Sequence, residues 1–175
     1  MPPHADRDNW LQQDDAQLLA DCVVDVFRGP GPGGQKRNKT SSSVRLRHTP
    51  SGLVALSQES RSQHRNKTLA LRRLRRTLAL EIREKVGSAW TPPDIFRRYL
   101  STSGRIEIAV RNSDYPRVIA VVLDVVVESG GAIRDAADLL GISSGQLSRF
   151  VTSDEKVLAR INQIRRAAGL RPITR

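Results

Sequence analysis

The chain has 175 residues, with 29 Lys+Arg against 18 Asp+Glu and a formal net charge of +11. One cysteine (Cys22) and three scattered histidines (His4, His48, His64) exclude a disulfide framework and a Cys- or His-based metal site, so no cofactor or metal is expected. The longest apolar run, 118–127, is broken by Asp124 and too short for a bilayer, and residues 1–10 lack a signal core, which predicts a soluble, cytoplasmic protein without a membrane partner.

Charge changes sign along the chain. Residues 1–27 are net acidic, with six Asp and one Arg, and 1–21 form an acidic N-terminal segment. Residues 28–100 carry 17 Lys+Arg against four Asp+Glu, the pattern of a polyanion-binding surface. Asp14 to Asp21 reads as a short helix and Cys22 to Phe27 as a strand. Gly29 to Gly34 has Gly or Pro at every position and cannot be regular structure. A helical turn is expected over Asn38–Ser43. Val44 to His48 alternates with period two, Thr49–Gly52 is a turn, and Leu53 to Ser57 is the return strand of a hairpin.

A long helix is predicted from Ser62 to Val86. Its apolar stripe is Leu71, Leu74, Leu78 and Ile82, read as core. A basic stripe of Arg65, Thr68, Arg72 and Arg75/Arg76 lies about a quarter-turn away. Gly87 to Pro93 breaks the pattern, and 88–104 reads as a linker pinned by Trp90. Ile106–Val110 reads as a short strand, followed by helices near 115–128, 132–140, 144–150 and 154–167. The expected fold class is α+β: a strand-and-helix domain over 22–87, then a helical domain over 105–175.

The loop Gly31-Pro32-Gly33-Gly34-Gln35 is neither a P-loop nor a dinucleotide fingerprint. Its glycines admit close backbone approach, and Pro32 stiffens it. Asn38-Lys39-Thr40 comes next, then Ser43-Val44-Arg45, the His48/Pro50/Gly52 turn, and Arg61-Ser62-Gln63-His64-Arg65-Asn66-Lys67 leading into the basic helix. This ordered set, over about 22–86, strongly resembles the catalytic domain of class I peptide chain release factors and of codon-independent ribosome-rescue hydrolases.

The resemblance implies hydrolysis of the peptidyl-tRNA ester in the ribosomal peptidyl transferase centre, with large-subunit ribosomal RNA and peptidyl-tRNA as partners. Gly33 and Gly34 would hold the backbone shape. The Gln35 backbone N–H would stabilise the developing oxyanion, and its neutral side chain would order water rather than act as a base. Arg28, Lys36, Arg37 and Lys39 would neutralise RNA phosphate beside Gly31, Pro32 and Thr40. Asn38, Arg61, Ser62, Gln63, Arg65, Asn66, Lys67, Arg72 and Arg76 would support the loop or contact RNA. Asn38 and Ser62 fit helix caps equally well. Pro30 stands where most of the family has Ser. The length leaves no room for a codon-reading domain, so no stop-codon specificity is expected.

The last third resembles a helix-turn-helix. Asp135–Leu140 would be its first helix, Gly141 the stop, Ile142 a core plug and Ser143 the next cap, presenting Ser144, Gln146, Ser148 and Arg149. Residues 132–150 are thus a possible further nucleic-acid or ribosome contact. The leading expectation is codon-independent ribosome rescue; the alternative is a non-catalytic RNA- or DNA-binding regulator. His48 and His64 read as strand-end or RNA-contact residues, and Cys22 as a small buried apolar one.

Overall fold

The computed structural model describes residues 6–28 and 42–174. It comprises two compact units, one from Ala5 to Leu78 and one from Ala79 onward. The fold class is α+β, as the sequence predicts: an antiparallel sheet with a long helix, followed by helices.

The first unit opens with α1 (Arg7–Gln12) and α2 (Asp15–Ala20). Asp14 caps α2 in a reciprocal box: its carboxylate accepts the Gln17 N–H at 2.8 Å, and its own N–H donates to Gln17 Oε1 at 3.0 Å. Strands β1 (Cys22–Phe27), β2 (Ser43–His48) and β3 (Val54–Ser57) form an antiparallel sheet in the order β1-β2-β3. The register runs from Cys22↔His48 to Phe27↔Ser43, and from Val44↔Ser57 to Arg47↔Val54. Between β2 and β3 the chain reverses through Gly52, whose φ of 71° is the left-handed conformation that favours glycine. Helix α3 (Gln63–Glu81) comes next, with the Ser62 hydroxyl accepting the Arg65 N–H at 3.3 Å as its cap. Leu18, Val44, Leu46, Ala55, Ala70, Leu71, Leu74 and Leu78 are buried apolar residues of this unit. Full burial of a Val or Leu side chain contributes about 1.5–3 kcal/mol.

In the second unit, α4 (Asp94–Arg97) precedes α5 (Tyr115–Glu128). Helix α5 is buried on nearly every side from Tyr115 to Val126, which explains a helix built largely of valine: burial overrides the weak helix propensity of β-branched residues. Helices α6 (Ile133–Leu140), α7 (Ser144–Thr152) and α8 (Glu155–Ala167) complete the unit. The Tyr115 hydroxyl donates to Asp154 at 2.7 Å, and the same carboxylate caps α8 by accepting the Lys156 N–H at 2.9 Å.

Several elements depart from the sequence reading. Helix α3 stops at Glu81 rather than Val86, and Ile82 is half-buried beyond its end. The cause is Asp124 of α5, which accepts the Arg83 guanidinium at 3.0 Å and the Glu84 backbone N–H at 3.1 Å, replacing the helical pattern there. Ile106–Val110 is not a strand. Its pairing is the isolated bridge Leu100↔Ile106, closed by a turn at Gly104 with φ 72°, and no partner strand lies beyond it among the described residues. Ser43 belongs to β2, so it is not the end of a helical turn; the rest of that turn, 38–41, lies outside the described residues. Helices α1 and α4 are additions to the predicted set.

Candidate functional site

The residues Gly31, Pro32, Gly33, Gly34, Gln35, Lys36, Arg37, Asn38, Lys39 and Thr40 lie outside the described residues. What is described is their stem. Phe27 and Ser43 are paired partners at one end of the sheet, so the connection from Arg28 to Ser42 leaves and returns at a single place. Arg28 is exposed at that exit.

Asn66, one turn into α3, governs the return. Its side chain is fully buried and all four of its hydrogen-bonding positions are used. The Nδ2 group donates to the carbonyls of Ser42 (2.6 Å) and Ser60 (2.8 Å). The Oδ1 atom accepts the Ser60 N–H (2.9 Å) and the Ser57 hydroxyl (3.3 Å). One amide thus ties the end of the loop connection, the end of β3 and the start of α3 together. Both carbonyls face the donor side and the N–H faces the acceptor side, which fixes the amide orientation.

Around this node the predicted contact residues separate. Arg61, Ser62, Gln63, Arg65 and Arg72 are exposed, while Lys67 and Arg76 are half-buried. Buried Asn66 cannot meet RNA, and Ser62 caps α3. Arg75 is not part of an open basic stripe. Its guanidinium donates to Asp15 (2.6 Å) and to the Gln13 carbonyl (2.8 Å), fastening the α1–α2 segment to α3. Arg73 is bound to Glu59 and to the Leu56 carbonyl.

His48 is a strand-end residue and is fully buried, which rules out RNA contact. Its Nδ1 lies 2.7 Å from the Ser51 hydroxyl, and its ring meets Trp10 edge-on with centroids 4.8 Å apart. Burial holds its pKa below the usual 6.5 against the opposing pull of Asp21. Trp10 is not predicted by the sequence; its partner lies 38 positions away, so no local pattern marks it. Cys22 is half-buried rather than buried. Burial and then Asp21 push its thiol up to about 11, far from nucleophilic character at neutral pH.

In the second unit the turn between α6 and α7 has the expected geometry. Gly141 adopts φ 70°, Ile142 is buried, and the Ser143 hydroxyl accepts the Gln146 N–H at 3.2 Å. Ser144 and Arg149 are exposed, and Gln146 and Ser148 half-buried. Among the described residues no group of His, Cys, Asp or Glu could hold a metal ion, and no helix is long and apolar enough to cross a membrane.

Comparison with known proteins points to release factors. Residues 17–91 match the family described as RF-1 domain. Peptide chain release factor 1 of Syntrophobacter fumaroxidans is 57% identical over 58 residues, covering 33% of this chain and 16% of the relative. Its counterpart in Variovorax paradoxus is 41% identical over 99 residues (56% and 26%), and that of Zymomonas mobilis 38% over 97 residues (55% and 26%). The chain therefore spans about a quarter or less of the length of these release factors. The stretch from residue 17 to residue 91, which holds the sheet and the basic helix, matches the RF-1 domain and is similar to the corresponding part of these release factors.

Proposed function

We propose that this chain hydrolyses the ester of peptidyl-tRNA in the ribosomal peptidyl transferase centre, and that it does so without reading a codon. The observation that carries the chemistry is the position of Gly33-Gly34-Gln35: inside the RF-1 match, within a connection whose two ends are held at one end of the sheet. An ester carbonyl gains oxyanion charge on attack by water, and the backbone N–H of Gln35 is the donor this reading assigns to stabilise it. The Gln35 side chain is a neutral amide without a useful pKa, so its part is to orient water. Arg28, Lys36, Arg37 and Lys39 bring a cationic rim for RNA phosphate, continued by Arg61, Arg65 and Arg72 on and before α3. Codon independence draws its support from the chain beyond the RF-1 match. Past residue 91 the chain continues through α4 to α8, helices that lie outside the RF-1 match.

The test is peptide release from purified ribosomes stalled on a truncated message with an empty A site, beside ribosomes halted at a stop codon and at an internal sense codon. Release from the truncated complex that disappears in Gly34→Ala is the expected result. Release confined to stop codons would overturn codon independence. Ribosome binding without release in any complex would overturn hydrolysis and leave a binding protein.

A further inference from the structure

The charges of the second unit are sorted by element. Helix α6 exposes Asp135 and Asp138 beside Arg134. Helix α7 exposes one cation, Arg149, which already donates to Gln146 Oε1 at 3.2 Å. A helix-turn-helix that reads duplex DNA needs cations where its first helix crosses the phosphate backbone, and here carboxylates stand in that place. The cations are elsewhere. After Glu155 the sequence has no further acidic residue, while Lys156, Arg160, Arg165, Arg166, Arg171 and Arg175 are all still to come.

Two of these cations have structural duties. Arg160 pairs with Glu81 at 3.2 Å. Arg165 donates to the Arg171 carbonyl at 2.8 Å and to the Gly131 carbonyl. Lys156, Arg166 and Arg171 are exposed, and among the described residues no carboxylate is paired with them. Lys156, Arg160, Gln163 and Arg166 succeed one another at spacings of four, three and three, which keeps them on one side of α8.

The segment after α8 is fastened to the same helix. Asn162 Nδ2 donates to the Ile173 carbonyl at 3.0 Å, and the Ile173 N–H returns to Asn162 Oδ1 at 2.7 Å. The Leu170 N–H donates to the Arg165 carbonyl at 2.8 Å. Gly131, at φ 84°, gives this arrangement its space: a Cβ there would stand 3.2 Å from Arg165 Cγ and 3.3 Å from its Cα. Asn162 and Arg165 thus hold the segment that carries Arg171 against the last turns of α8, where Arg166 also lies. The backbone that carries Arg166 and Arg171 is therefore fixed before any ligand arrives, which lowers the ordering entropy lost on binding.

We propose that α8 and residues 170–174 form a second nucleic-acid-binding surface, in which Lys156, Arg166 and Arg171 grip the phosphodiester backbone of RNA. The choice of RNA rests on the function proposed above; the surface itself does not. The probe is a fluorescein-labelled 24-base-pair RNA duplex, bound by the full chain and followed by anisotropy across a salt series. A triple variant, Lys156→Ala, Arg166→Ala, Arg171→Ala, is expected to bind about tenfold or more weakly at 150 mM salt. The slope of log affinity against log salt should shrink by roughly two to three, since each phosphate contact contributes about 0.9. An Arg166→Lys, Arg171→Lys variant should retain the affinity, and all variants should melt like the parent because none of the three residues is core. Gly34→Ala, which tests release, should leave this binding unchanged, so a failure of hydrolysis and a failure of this surface are separately visible. Parent-like affinity and slope in the triple variant would overturn the surface. Tighter binding of the same sequence as duplex DNA would overturn the assignment to RNA.

Discussion

At the scale of single residues, Asn66 and His48 carry the sharpest consequences. Asn66→Ala leaves the Ser42 carbonyl and the Ser60 N–H without the partner they have in the native fold. Fully buried groups abandoned in this way cost about 1–3 kcal/mol each. These two are half-buried, so the loss lies toward the low end of that range and thermal denaturation should show a corresponding fall in melting temperature. Release activity should fall further than that loss explains, because the Ser42 anchor of the loop connection is gone. Comparing variant and parent well below both melting temperatures separates the two effects. His48 makes stability depend on pH. Its pKa is lower in the fold than in the unfolded chain, so the unfolded state takes up a proton first as pH falls. The contribution is complete above about 6.5 and is lost as pH falls through the lower, folded value. No other described group stands ready to bond the buried Nε2 when it is charged. Urea unfolding at pH 7.5 and at pH 5 should show this loss, and His48→Asn should flatten the part of the slope that begins just below 6.5.

At the scale of elements, the boundary of α3 is set from a distance. Asp124 is nearly buried in α5, yet it decides where a helix 40 positions earlier ends, by binding Arg83 and the Glu84 N–H. Asp124→Ala removes one partner of a largely desolvated ion pair, which typically destabilises by about 3–5 kcal/mol. The chemical denaturation midpoint should drop accordingly. Arg83→Met together with Asp124→Leu should recover a large part of the loss, because no charge is then left buried. The elements legible in the sequence are those with local causes. Period-two alternation marks β2, Gly52 marks the β2–β3 turn, and Gly141 with Ser143 marks the α6–α7 junction. Those that mislead have non-local causes. Ile106 to Val110 reads like a strand but has no strand partner beyond Leu100 among the described residues, and the apolar stripe of α3 runs on to Ile82 although Asp124 has already ended the helix. Helix α1 is six residues long and has no side-chain cap, so nothing local announces it.

At the scale of the whole molecule, composition points to nucleic acid, and the arrangement of cations refines that. Arg75 and Arg73, basic in the sequence, are consumed by Asp15 and Glu59, whereas Arg61, Arg65 and Arg72 stay exposed. Which arginines hold the fold and which face solvent cannot be read from spacing, because their carboxylate partners come from other elements. The candidate site is legible as a motif, since Gly33-Gly34-Gln35 and Asn66 both stand out in order and spacing. The four-bond node around Asn66 is not, because three of its partners are backbone groups. The closed pairing of Phe27 with Ser43 has one more consequence, and it concerns chain statistics. The sheet already brings the ends of this connection together, and the entropy of closing a chain segment changes slowly with its contour length. Doubling such a loop costs only about 0.6 kcal/mol, so inserting two glycines after Arg28 should leave the melting temperature almost unmoved. The same insertion lengthens the path along the chain from β1 to Gln35, and peptide release should fall by an order of magnitude or more, as expected when a reacting group is misplaced by about 1 Å. Reach would then be the quantity under selection in this segment, and stability a bystander to it.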